Sequence, residues 1–265
     1  MSPLDSYLRS ADAAQLLYVM DGRPYVAGEF VDGITGDRHC LVEYCDPALL
    51  STAQSVRSLR DALSGSFTDA DVLTIRVRTP VDLPPPWERA VTYVRLTDSS
   101  TQPIHQAKVS IVEATSDYMR LIEDWLVRAF QTGYEKQGRA ARLDAARRAA
   151  RTILESVDRR SYVAIAGGVP VGHATLLTRM RDEVTDEEYA DFVDMFVEPG
   201  PSAKDARDGL LSAVITLAGK TGMELVGNVV HQKAATATME HGRRVLESLW
   251  RKGWQVDHVD WRLAP

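Results

Sequence analysis

FVDMFVEPGPSAKDARDGLLSAVI, residues 192–215, is the stretch on which the fold turns. Phe192–Val197 is an apolar run with strand character, interrupted only by Asp194. The Pro-Gly-Pro of residues 199–201 ends it, because proline cannot donate to a ladder and glycine has no side chain to pack. From Gly209 to Ala218 small and aliphatic residues recur at helical spacing. A strand ending in Val-x-Pro, a polar loop and a helix thus follow one another.

Working outward, Lys108–Glu113 reads as a strand and Asp117–Phe130 as an amphipathic helix that Ser116 or Asp117 can cap. Leu143–Val157 is a second helix, rich in alanine and arginine. Tyr162–Ala166 and Val171–Leu177 form a hairpin about Gly167-Gly168. After the central stretch come a strand at Leu225–Val230, a helix from Ala234 to Arg251 and a strand at Gln255–Leu263. The order from Lys108 is β-α-α-β-β-β-α-β-α-β.

Upstream, Gln15–Gly28 is a hairpin turning at Asp21-Gly22, and His39–Tyr44 is a further apolar run. Pro47–Leu63 has helical spacing, and strands follow at Val72–Val77 and Val91–Leu96. Ser99–Gln102 is polar and turn-forming, which makes it the natural linker. The two halves echo one another. Tyr18–Val26 (YVMDGRPYV) resembles Val163–Val171 (VAIAGGVPV), and the run from Trp87 to Arg95-Leu96 resembles that from Trp254 to Arg262-Leu263. Order and strand pattern together favour a degenerate repeat over chance.

At 265 residues the chain fits one large or two modest domains. Its 45% hydrophobic and 26% charged residues exclude collagen-like and disordered classes. Its apolar runs fall short of the ~20 residues that cross a bilayer. No signal-peptide pattern opens the sequence, so a cytoplasmic protein is expected. Cys40 and Cys45 are too few for a disulfide framework or a zinc site, so no metal is implied. The net charge of −6 argues against general nucleic-acid binding. Lys136–Arg160, however, carries eight Lys/Arg against three acids. Arg139, Arg142, Arg147, Arg148 and Arg151 could hold an anion there, although charged helix faces are usually only solvated.

The element order, the Gly-x-Pro hairpin, the Val-x-Pro strand of residues 192–215 and Leu246–Trp254 (LESLWRKGW) together resemble the GNAT superfamily of N-acetyltransferases. The resemblance covers about 155 residues and implies an α/β fold. A mixed, mostly antiparallel sheet flanked by helices is expected, in two GNAT-like halves. The halves would be a truncated structural one at 1–100 and an acyltransferase domain at 107–265. It also implies that the fourth and fifth strands splay, that amides near Met195, Phe196 and Val197 bind a pantetheine arm and polarise a thioester, and that residues Ala206, Arg207, Asp208, Gly209 and Leu210 form the pyrophosphate loop.

That loop departs from the family's Gln/Arg-x-x-Gly-x-Gly/Ala in either register, and Leu249 replaces the usual acid, a tyrosine. Asp194, expected on one face with Phe192 and Phe196, is a candidate general base, with Asp191 and Glu198 as weaker alternatives. His231, just past the fifth strand, could serve as acid or base. His173 is a third candidate, although a strand histidine is more often a satisfied core residue. Glu240 and His241 could replace the missing acid. Trp250 and Trp254 read as packing residues.

The expected activity is acyl transfer from acetyl-CoA or another acyl-CoA to the amine of a small, possibly anionic molecule. One alternative is an aminoacyltransferase drawing on aminoacyl-tRNA through the basic 136–160 segment. The other is a non-catalytic GNAT-like binding module.

Overall fold

The computed structural model describes residues 1–78, 81–97, 109–233 and 239–263, excluding the side chains of residues 239–241. The expected linker Ser99–Gln102, the helix start at Ala234 and the side chains of Glu240 and His241 lie outside these.

In the first half, α1 (Pro3–Ala13) precedes β1 (Leu17–Met20), β2 (Arg23–Val31) and β3 (Arg38–Cys45). Then come α2 (Ala53–Ser66), β4 (Val72–Val77) and β5 (Glu88–Leu96). In the second, β6 (Ser110–Glu113) leads to α3 (Met119–Lys136) and α4 (Leu143–Glu155). β7 (Arg159–Ala166), β8 (Val169–Arg181), β9 (Glu188–Val197), α5 (Ala203–Thr221), β10 (Glu224–Val230), α6 (Met239–Trp250) and β11 (Gln255–Leu263) complete it.

Several boundaries differ from the sequence reading. The helix expected over Asp117–Phe130 is Met119–Lys136, with no side-chain cap from Ser116 or Asp117. The strands expected at Val171–Leu177 and Phe192–Val197 run from Val169 to Arg181 and from Glu188 to Val197. The helix expected over Pro47–Leu63 is a short 3-10 turn at Pro47–Leu50 followed by α2, because Thr52 caps a fresh start with Ser55 in a reciprocal box. The helix expected from Gly209 begins at Ala203 and ends at Gly222, whose φ of +68° suits glycine. α1, not anticipated, is nucleated by the Ser2–Asp5 capping box with Pro3 in its first turn.

The described strands form one eleven-stranded sheet in the order β1-β2-β3-β4-β11-β5-β10-β9-β8-β7-β6. Among them, only β3–β4 and β9–β10 pair in parallel. The arrangement is close to two-fold. Each half's last strand is exchanged: β5 lies between β10 and β11, and β11 between β4 and β5. Leu96 faces Leu225 and Leu263 faces Leu73, so the exchanged strands take matching places. The turns Asp21-Gly22 and Gly167-Gly168 both have two positive φ values, as two-residue hairpins of this hand need. The next turns match as well. Asp32 Oδ1 accepts from the Ile34 and Thr35 amides at 2.8 and 3.0 Å, and Asp182 Oδ1 from Val184 and Thr185 at 3.0 and 2.9 Å.

α2, α5 and α6 cover one face. There Leu59 and Leu63 of α2 meet Leu73 and Ile75, and Leu210 and Val214 of α5 meet Leu176 and Leu225. α3 and α4 cover the other face, with Ile122 and Leu126 against Val163. Each such fully buried side chain contributes about 1.5–3 kcal/mol, which fixes the helices on the sheet. α1 lies on the α3 side of β2. The described helices include none long and apolar enough to cross a membrane.

Candidate active site

β9 and β10 stay paired only from Tyr189–Asp191 against Glu224–Val226. Beyond that point β9 follows β8 to Val197, while β10 follows β5 to Val230. The strands therefore fork, and the backbone groups of Phe192–Val197 that face β10 have no strand partner. Beside the fork, β9 runs unusually close to β8 at Gly172. A Cβ there would lie 2.5 Å from the Phe196 carbonyl oxygen and 3.0 Å from Val197 Cα, so only glycine permits so close an approach of β8 to β9. Residues 191–198 are only half-buried although their strand is well inside the sheet.

Val193 is a bulge, since Thr175 pairs with Asp194 and Leu176 with Phe192. The alternation expected of β9 is broken at that point. Phe192 packs with the α5 side and Phe196 with the α3 side, so the three residues do not share a face. Asp194 Oδ2 stands 3.3 Å from His173 Nε2. The His173 ring is fully buried and stacks on Trp125 of α3, with centroids 5.5 Å apart. A polar chain continues inward. His173 Nδ1 is 3.1 Å from Thr175 Oγ1, Thr175 is 2.9 Å from the Ser161 hydroxyl, and Arg159 donates to Ser161 at 3.0 Å.

His231 is elsewhere. Its Nε2 lies 2.7 Å from Thr92 Oγ1, and its ring packs so closely on Gly242 of α6 that a Cβ there would come within 2.7 Å. It therefore sits on the α6 face, opposite Asp194 and His173, and the three are not brought together. Burial, with Arg89 adding to it, lowers its pKa to about 4.

Asp191 stands at the apex of the fork. Ala190 and Phe192 face α5, so Asp191 points to the other face. Desolvation raises its pKa to about 6. Beside it the floor is open: Asn228, in the middle of β10 and paired with Tyr93 of β5, is exposed. Tyr93 stacks on His258 of β11, with centroids 4.1 Å apart. The first half thus places residues of β5 in the second half's cleft. Asn228 and Tyr93 escaped sequence reading, because exposure within a central strand leaves no mark in composition. Alternation from Ala190 could have raised Asp191 above Asp194.

The first half's fork is closed. β3 and β4 part after Val42 and Ile75, and Arg76 bridges the gap to Glu43 at 3.2 Å. Tyr7 of α1 donates to the same carboxylate at 3.1 Å.

The residues expected to form a phosphate loop lie inside α5. Ala206, Gly209 and Leu210 are buried on its inner face, Arg207 is exposed, and Asp208 pairs with Lys204 at 2.9 Å. Amides 207–210 are occupied within the helix, so the free first-turn N–H groups are those of Lys204 and Asp205. Glu198 is held by Trp125 at 3.0 Å and by Arg128 at 2.6 Å.

Of the arginines, Arg139 is almost buried and joins the halves. It binds Asp37, Thr35 at 2.6 Å and His39 at 2.8 Å. Arg142 lies against Gly36 and donates its amide to Ile34 at 3.1 Å. Arg148 pairs with Asp144 and Arg151 with Glu123, both at 2.9 Å, and Arg147 is exposed. Among the described residues no group of three or more His, Cys, Asp or Glu could hold a metal ion.

No family model matches the sequence, and no curated protein resembles it significantly. Solved structures do. A GNAT-family acetyltransferase from Colwellia psychrerythraea is similar over 97% of this chain and 95% of its own, at 12% identity and TM-score 0.53. The fold is that of GNAT acetyltransferases, built here from two similarly ordered halves in one sheet. A functionally unknown conserved protein from Staphylococcus epidermidis is similar over 93% of this chain and 92% of its own, with 11% identity and TM-score 0.50. A glucosamine N-acetyltransferase region of a fungal multi-domain GH3 β-N-acetylglucosaminidase is similar over 91% of this chain, at 11% identity and TM-score 0.51. This chain spans 31% of that protein. The parallel pair opens into a fork as the resemblance implied, and the exchanged strands knit the two halves into one sheet.

Proposed function

We propose that the protein is an N-acyltransferase whose chemistry occurs at the β9/β10 fork. The observation that carries this reading is the open fork with Asp191 at its apex. An acyl thioester lying in the fork supplies an activated carbonyl. The unpartnered backbone groups of Met195–Val197 are suited to orient and polarise it, as an oxyanion device does. An amine must be neutral to attack. Asp191, with its pKa raised to about 6, is ionised near neutrality yet basic enough to take the proton. As the C–N bond forms the C–S bond breaks, and the departing thiolate takes its proton from solvent. Asp194, backed by His173, offers a second carboxylate to hold the incoming ammonium. His231, turned toward α6, has no part in this scheme.

The fork suits a pantetheine arm, and the α5 terminus offers the Lys204 and Asp205 amides to a phosphate. Asp205 also places a carboxylate there, and Gly209 is buried within the helix. The missing glycine loop favours a second reading, in which the acyl group comes from an aminoacyl-tRNA. Titration of the protein with acetyl-CoA, and separately with mixed charged tRNA at two salt concentrations, separates the two. Micromolar binding of acetyl-CoA supports the first. Salt-sensitive tRNA binding alone supports the second, and a protein that binds neither donor is better read as a non-catalytic binding module, which refutes acyl transfer.

A further inference from the structure

A cavity of about 390 Å³ lies between α1 and the sheet of the first half, away from the fork. Its walls are apolar: Ala11 and Ala14 from α1, Leu16, and Val26 and Leu41 from β2 and β3. Its polar lining is of one sign. Glu29, Glu43 and Glu183 border it, with the Tyr7 and Ser10 hydroxyls, and among the described residues no Lys or Arg does. Arg76 holds Glu43 from behind and Arg38 lies 3.8 Å from Glu29, but neither guanidinium lines the space. Glu183 belongs to the β8–β9 turn of the second half, so both halves line the cavity.

The mouth keeps large apolar groups in water, with Leu16 39% and Phe30 46% exposed. Exposed apolar surface beside a concave, largely apolar space is how small-molecule sites are built. After burial, Glu43 and then Glu183 raise the Tyr7 phenol, with Arg76 opposing them. Carboxylates bordering such a space attract a cation.

We propose that this cavity is a binding site for an amphipathic organic cation, an ammonium carried on an aliphatic body of six to ten heavy atoms. The aliphatic part lies against Ala11, Leu16, Val26 and Leu41, and the ammonium meets Glu43 and Glu183. Because Glu183 stands on the hairpin that continues into β9, occupancy ties the first half to the strand that forms the fork. The proposal does not depend on the acyl-transfer reading.

n-Octylamine is the probe, titrated into the full chain by calorimetry, with n-octanoate and 1-octanol as controls of equal length. The amine is expected to bind at least tenfold more tightly than either control. Glu183→Gln, on an exposed turn, is expected to weaken it about threefold. Ser10→Trp, on the exposed side of α1, is expected to abolish binding by filling the mouth. Circular dichroism checks that both variants fold. Equal binding of octanoate or octanol, undiminished binding by the Ser10→Trp protein, or no binding of octylamine to the wild type would each overturn the proposal.

Discussion

Gly172→Ala tests the close approach of β8 and β9 beside the fork. The added Cβ would meet the Phe196 carbonyl oxygen at 2.5 Å, where ordinary contact begins at 3.4 Å. The deficit of roughly 0.9 Å cannot be absorbed by a rotamer change, since the atom met is backbone, and overpacking of this kind costs about 1–3 kcal/mol. At about 2 °C per kcal/mol for a chain of this size, Tm falls by about 2–6 °C. β9 can yield only away from β8, into the fork, so binding of an acyl-CoA should weaken along with stability. Gly227→Ala on β10 is the control, because its Cβ meets Phe192 and Trp254 at an ordinary 3.6 Å. Thermal melts and acetyl-CoA titration of both variants provide the readout. If the Gly172 variant melts within about 1 °C of wild type while binding is unchanged, the close approach does not constrain β9 at the fork.

Asp191→Asn should reduce acyl transfer about 10²–10⁴-fold, and the wild-type rate should fall as pH drops below about 6. Burial raises the folded pKa of Asp191, so its contribution to stability is present below the unfolded value and lost as pH rises through about 6. The Asn variant should therefore melt higher than wild type at pH 8 and level with it at pH 4. His231 has the opposite sign for stability. Its folded pKa is depressed to about 4, so its contribution is present above about 6.5 and lost as pH falls toward 4. His231→Gln should flatten that part of a melting-versus-pH series. Arg139→Ala removes the ion pair to Asp37 and the 3.6 Å contact with Asp32 at the junction of the halves, and should cost about 1–3 kcal/mol in urea unfolding. Arg147→Ala, exposed, should change stability by no more than about 0.5 kcal/mol.

The hairpins at Asp21-Gly22 and Gly167-Gly168 were legible because a two-residue turn with positive φ has a strict residue signature. The strands and most helices followed from apolar period, and the tandem echo from matched turns. α1 was also written locally, in Ser2-Pro3 and Asp5, but a short polar helix gives little apolar period to read. The face of Asp194 was misread because a bulge at Val193 shifts the alternation by one residue, and nothing in an apolar run marks a bulge.

The residues 192–215 with which the sequence reading began determined the strand, the break and the helix, since each depends on neighbours within a few positions. They did not determine the site. That Asp191 rather than Asp194 lies at the apex, that Arg76 closes one fork while the other stays open, and that Tyr93 of the first half pairs beside the second half's cleft are settled by pairing between distant strands. Local propensity acts over one turn or one hairpin. Burial, desolvation and close approach depend on which distant surfaces meet, so only the tertiary structure decides them.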